Sequence, residues 1–265
     1  MQQDRIAEGL TARARRIAAH VAAAVDATEV EHDPFDHFYI EGILPEDVYA
    51  ELMAKLPAKE AYLPLNPRRW KRADGSSTRD RLYLAGPEMA RIDAERRPFW
   101  EDIAAALRSD AVRRAVYRKL SRDIAIRLGV RPEEVADQPG WPVLMLVRDT
   151  EDYEIKPHPD GQPRVVTMQF YFPHGPEQEG LGTSLYQRGS LIDRLAGRPF
   201  REVKRFPYRP NSAYAFAVND APGRVSWHGR ELVPGSAGVR DTLIVQWRSQ
   251  PGEAGKDGLR GTADG

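Results

Sequence analysis

The chain has 265 residues, is 41% hydrophobic, and sets 39 lysines and arginines against 39 aspartates and glutamates. That is enough apolar material for a substantial core in one domain, and the balanced charge advertises neither nucleic acid nor an anionic membrane as a partner. There is no cysteine, which excludes a disulfide framework, a thiolate metal site and a Cys nucleophile, and fits a reducing cytosol.

The opening stretch "MQQDRIAEGLTARARRIAAHVAAAVDA" is studded with charge and contains neither a signal-peptide core nor a membrane-spanning run. A soluble, cytoplasmic protein is the expectation. Ile6, Leu10, Ile17, Val21 and Val25 recur at helical spacing, predicting an amphipathic helix over 4–26. "HDPFDHFYIEGILPEDVYAELMAKLP" then predicts a short strand around Phe38–Ile40 and a helix begun at Pro45 and Glu46. Residues 62–82 are rich in Pro, Gly and Ser and carry Arg68, Arg69, Lys71, Arg72, Arg79 and Arg81. They read as a basic, solvated loop; the alternative is a loop that closes over an anionic substrate such as a carboxylated or phosphorylated sugar. From Pro98 to Gly129 the pattern is helical again, as two helices.

At Pro139-Gly140 the character changes. Apolar runs separated by turn residues follow at 142–148, 153–157, 164–173, 182–187, 200–206, 212–218, 224–228 and 240–248. Eight strands without a long helix between them predict an antiparallel sandwich or barrel. The organisation expected is a helical part, 1–138, packed on a β core, 139–249, with a disordered tail, 250–265. The fold class is α+β with a mostly β core.

Side chains alternate along a strand. In 165–172, Val166, Met168, Phe170 and Phe172 oppose Thr167, Gln169 and Tyr171; in 240–247, Leu243, Val245 and Trp247 oppose Arg240, Thr242 and Gln246. In a core covered by helices, the apolar sets face the helices and the polar sets line a cavity. An ordinary solvated sheet is the alternative.

His158 and Asp160 are two apart in a turn-like segment, so both side chains leave on one side and can share a metal ion. Alone, a hydrogen-bonded surface turn explains the pair better. His228, in "RVSWHGREL", supplies a third ligand type. Two imidazoles and a carboxylate leave positions open on Fe(II), and they also suit Zn(II). Arg240 begins a strand twelve residues after His228, on the face of Thr242. A buried guanidinium needs an anion and grips a carboxylate with two parallel bonds, so a metal plus Arg240 implies a small anionic co-substrate.

With these residues in place the sequence resembles the Fe(II)/2-oxoglutarate-dependent dioxygenases, particularly the prolyl 4-hydroxylase-like branch. The matching stretches are "HPD" (158–160), "RVVTMQFYF" (164–172), "WHG" (227–229) and "VRDTLIVQW" (239–247), with "DPFDHFYIEGILPEDVYAEL" (33–52) as a lead-in. The resemblance implies a double-stranded β-helix (jelly roll) covered by N-terminal helices. It implies iron ligands His158, Asp160 and His228, and Arg240 on the distal carboxylate of 2-oxoglutarate, assisted by Thr242 and Tyr171. Where several relatives carry a co-substrate tyrosine, this chain has Arg148; it is expected to pair at the surface with Asp149 or Asp152, or else to contact the co-substrate. The activity implied consumes O2 and 2-oxoglutarate, releases succinate and carbon dioxide, and hydroxylates a C–H bond; the presence of Asp160 argues against the halogenating relatives.

His174 is expected to be an exposed loop residue, and His20, His32 and His37 structural or solvated. The reading favoured is hydroxylation of a small or sugar-like metabolite, with no nucleic-acid or membrane partner. Hydroxylation of a protein side chain, prolyl-type, is one alternative. A metal-binding jelly roll without oxygenase activity, such as a zinc-bound isomerase, is the other.

Overall fold

The structure, a computed structural model, describes residues 9–65 and 70–251. The first helix, α1 (Ala12–Ala27), starts where the Thr11 hydroxyl accepts a hydrogen bond from the Ala14 amide, and it buries Ile17, Val21 and Val25. The part of the expected helix before residue 9, and the expected tail after residue 251, lie outside the described residues. Strand β1 (His37–Glu41) and α2 (Glu46–Ala54) stand as expected.

Segment 62–82 is not a plain loop. It contains β2 (Leu63–Pro64) and the beginning of β3 (Arg79–Tyr83), which pair with each other and, through β3, with the central sheet. After a short α3 (Gly86–Met89), three helices follow instead of two: α4 (Arg97–Leu107), α5 (Asp110–Lys119) and α6 (Ser121–Leu128). The extra break comes from Ser109, whose hydroxyl caps α5 by accepting from the Val112 amide, and from Leu120, which leaves helical geometry between α5 and α6.

The remaining strands are β4 (Trp141–Asp149), β5 (Ile155–His158), β6 (Arg164–Phe172), β7 (Ser184–Arg188), β8 (Phe200–Arg205), β9 (Ser212–Ala217), β10 (His228–Arg230) and β11 (Arg240–Arg248). A five-residue α7 (Leu191–Leu195) separates β7 from β8. The strand expected at 224–228 lies later, because Asn219 and Ser226 close a loop through paired hydrogen bonds and delay the ladder to His228. All pairings are antiparallel. One sheet has seven strands in the order β1-β9-β6-β11-β4-β3-β2, and a second has four, β5-β10-β7-β8. The larger sheet therefore runs across the expected boundary at 138/139, with β1, β2 and β3 supplied by the earlier part of the chain.

Alternation decides what each face meets. Val166, Met168, Phe170, Leu243, Val245 and Trp247 join Ile17, Trp100, Ile103 and Val116 in one core between the large sheet and the helices. The opposite face meets the second sheet across a smaller cluster that contains Tyr171, Leu185, Phe206, Tyr208, Tyr214 and Phe216. Among the described residues no helix is long and apolar enough to cross a membrane.

Candidate metal centre and its pocket

His158 ends β5 and His228 begins β10, and the two are direct partners in the antiparallel ladder, with ring centroids 4.4 Å apart. That approach depends on Gly229, where a Cβ would stand 2.7 Å from the Ile155 carbonyl oxygen. Asp160 follows in the turn toward β6. One ligand atom from each of His158, Asp160 and His228 falls within 4.8 Å of the other two, close enough to hold a single ion.

Surrounding bonds point the donors inward. The Nδ1 atoms of His158 and His228 lie 3.0 Å from the carbonyls of Lys156 and Ser226. A carbonyl only accepts, so each imidazole carries its proton on Nδ1 and leaves the Nε2 lone pair for a metal. Thr167, on β6 of the other sheet, donates its hydroxyl to Asp160 Oδ2 at 2.6 Å. Burial and the neighbouring His228 hold His158 down to about 4, so its ring is neutral near pH 7. Burial opposes the charge on Asp160, but His228, Arg164, His158 and the Thr167 hydroxyl outweigh it and hold the carboxyl down to about 2. A neutral His158 and an ionised Asp160, with His228 already oriented by the Ser226 carbonyl, are ready to bind a divalent cation, and the set suits Fe(II).

The three residues open onto a cavity of about 170 Å³ between the sheets. Thr167 and Gln169 line it from β6, Arg240, Ile244 and Gln246 from β11, and Tyr214 from β9. The expected inward polar face thus lines a cavity, as the helix-covered arrangement required. Gln169 is fixed by a network: its Nε2 donates to the Thr242 hydroxyl at 2.8 Å, and its Oε1 accepts from Tyr214 at 2.6 Å.

Arg240 is 1% exposed and lies in the cavity wall. Its Nε donates to the Leu181 carbonyl at 2.7 Å and its Nη1 to Asp149 at 2.9 Å, while Nη2 has no hydrogen-bond partner among the described residues. Tyr171 and Tyr208 lie against the guanidinium, 5.3 and 5.0 Å from its carbon. Tyr171 sits behind Arg240, outside the cavity lining, and its hydroxyl accepts from the Thr183 amide at 2.9 Å. Thr242 is likewise one layer back, reached through Gln169.

Arg148 takes neither course expected of it. It pairs with Asp241 through two bonds of 2.9 and 3.1 Å and lies over the Tyr62 ring. Alternation puts its neighbour Asp149 into the cavity instead. His174 is only half exposed and also bonds Asp241, at 2.8 Å. His37 is fully buried, with Nδ1 on the Phe35 carbonyl, and His20 and His32 bond Gly42 and Asp36. Sequence reasoning missed Asp149, Tyr153 and Arg230 in the cavity wall; Arg79, expected in a basic loop with closure over an anionic substrate as the alternative, also lines it, from a strand. For Arg230 a signal existed: it lies two residues beyond His228 and shares its side of the strand.

No protein-family model matches the sequence, and no curated protein matches it. Solved structures do. A prolyl hydroxylase from Trichoplax adhaerens, in complex with a hypoxia inducible factor oxygen degradation domain peptide fragment, superposes with a TM-score of 0.51 over 89% of this chain and 90% of that one, at 11% identity. A prolyl-4-hydroxylase from Pseudomonas putida gives a TM-score of 0.50 over 87% and 99%, at 14% identity. The fold is the one that prolyl hydroxylases adopt.

Proposed function

We propose that the chain is an Fe(II)/2-oxoglutarate-dependent oxygenase that hydroxylates a C–H bond, its two sheets forming a double-stranded β-helix. The observation that carries this reading is the convergence of His158, Asp160 and His228 on one point, with both Nδ1 atoms tied to carbonyls and both Nε2 atoms left for a metal. The likeness to prolyl hydroxylases supports it.

When bound, Fe(II) with 2-oxoglutarate and O2 supplies the oxidising chemistry, and the protein supplies placement. His158, Asp160 and His228 hold the metal. Arg240, stiffened by Leu181, Asp149 and the two tyrosines, offers Nη2 to the far carboxylate of the co-substrate. Gln169, Tyr214 and Thr183 form a fixed hydrogen-bonding wall that needs no rearrangement. Tyr171 and Thr242 act indirectly, by holding Arg240 and Gln169 in position.

The substrate favoured is a small metabolite. A prolyl-type peptide substrate is the second reading, supported by the structural neighbours named above. Incubating the protein with Fe(II), ascorbate, O2 and 2-oxoglutarate should give succinate, and His158→Ala should give none. Absence of succinate from protein that binds the metal would leave the non-oxygenase metal protein as the reading. Metabolite and peptide panels, read by mass gain of one oxygen, separate the two substrates.

A further inference from the structure

Three arginines meet one carboxylate in the cavity wall. Arg79 on β3, Asp149 on β4 and Arg240 on β11 stand in register across three adjacent strands, and Arg230 approaches from β10 in the facing sheet. All are buried, at 9%, 0%, 1% and 4% exposure respectively. Arg240 takes the best of Asp149, hydrogen-bonding it at 2.9 Å, while Arg79 at 3.4 Å and Arg230 at 3.9 Å keep only looser ion pairs with it.

The two leftover guanidinium groups are poorly satisfied. Among the described residues that of Arg79 makes no hydrogen bond, and that of Arg230 makes one, to the Tyr153 carbonyl at 3.2 Å. Both Nε atoms are buried without an acceptor. Both groups lie against the Tyr153 ring, with their carbons 4.6 and 5.3 Å from its centre, and both approach the one Asp149 carboxylate. Among the described residues, counting Arg164 and Asp160, the cavity sets four guanidinium groups against two carboxylates. Fe(II) and doubly ionised 2-oxoglutarate cancel each other, so the excess of positive charge persists in the loaded site. Burial, then the neighbouring Arg240, lowers Arg230 to about 9, and burial likewise lowers Arg79, so the surroundings resist the charges they contain. A guanidinium does not readily shed its proton, and buried positive charge that shares one carboxylate three ways is only partly compensated and costly. An incoming anion relieves that cost.

We propose that Arg79 and Arg230 form a second anion site in the cavity, distinct from Arg240, and that it receives a carboxylate or phosphate of the molecule being oxidised. This rests on the oxygenase reading and narrows its substrate to an acid.

The test uses full-length protein loaded without oxygen with Mn(II) and saturating 2-oxoglutarate. Acetate and methyl phosphate are the probes, with acetamide and sodium chloride at equal ionic strength as controls. At about ten times its dissociation constant, a probe should raise the thermal midpoint by about 3 °C, with the tighter probe identifying the acidic group. Arg79→Gln and Arg230→Gln should abolish the rise while keeping 2-oxoglutarate affinity within about twofold, and Arg79→Lys should retain it. In the absence of either probe, Arg79→Gln should melt no lower than wild type, since it removes one of three crowded like charges; a purely structural arginine would cost several degrees. The proposal is overturned by a wild-type protein that ignores both probes, by a rise that survives both Gln variants, or by variants that lose 2-oxoglutarate equally. If wild type binds no 2-oxoglutarate with Mn(II), the oxygenase reading fails on its own, and the same titration of metal-free protein still decides the arginine pair.

Discussion

His158 and Asp160 illustrate how local bonding prepares a side chain for one task. Each has its protonation state set by neighbours before any ion arrives, so loss of a neighbour should be felt as weaker metal binding. Thr167→Val removes the hydroxyl that fixes Asp160 and should weaken Mn(II) binding about 10-fold or more, measured by calorimetry, with the melting temperature nearly unchanged. His158 also makes a pH prediction. Its folded value, held down to about 4 by burial and His228, lies below the ordinary imidazole value of about 6.5. A depressed histidine favours the folded state when neutral, so its contribution is complete above pH 6.5 and is lost as the pH falls toward 4. Thermal midpoints of metal-free protein should therefore drop across that window, and His158→Gln should flatten the drop. An unchanged slope would contradict the assignment. At this scale the sequence was legible where chemistry is sparse: a histidine and an aspartate two apart, a later histidine, and an arginine opening a strand. It was opaque at Arg148 and Asp149, because two adjacent charged residues at a strand end do not reveal which one turns inward.

Among the elements, β10 shows how little ladder is needed to build a site when the backbone can come close. It is three residues long, yet it carries His228 and Arg230 to the cavity, with Gly229 against β5 between them. Gly229→Ala forces β5 and β10 apart and should cost about 1–3 kcal/mol in urea unfolding, the range for overpacking a close contact, together with a loss of metal affinity that a distant destabilising change would not produce. Trp247 on β11 offers that control, since it faces the helices and is fully buried. Trp247→Ala should lower stability by about 3–5 kcal/mol while leaving metal binding of the folded fraction intact. Strands β6 and β11 were readable because apolar and polar residues alternate through most of each, broken at Val165 in one and at Asp241 and Ile244 in the other. Strand β3, "RDRLY", was not: charged residues fill its first three positions, and it follows a Pro-, Gly- and Ser-rich stretch that reads as solvent-exposed. The third helix was hidden because the apolar pattern runs on through the break at Leu120, which is itself one of its buried positions.

For the whole molecule, the helical and β portions are joined more closely than the shift in sequence character at residue 139 suggests. Three strands of the large sheet come from before that point, and so does Arg79 of the proposed anion site. A fragment starting at residue 139 should therefore expose the apolar face formed by Val166, Met168, Phe170 and Trp247. It should bind a hydrophobic dye and lack a cooperative melt, whereas an independently stable β core would melt sharply.

The ladder pairing of His158 with His228 also bears on how the protein behaves when stripped of its ion. Because the two rings sit on neighbouring strands that enter from separate stretches of the chain, an ion between them acts as a rivet through the small sheet. Chelation should then speed deuterium uptake at the amides of Ile155, Lys156, His158 and 228–230, while those of β6 and β11, clamped between strands on both sides, keep their protection.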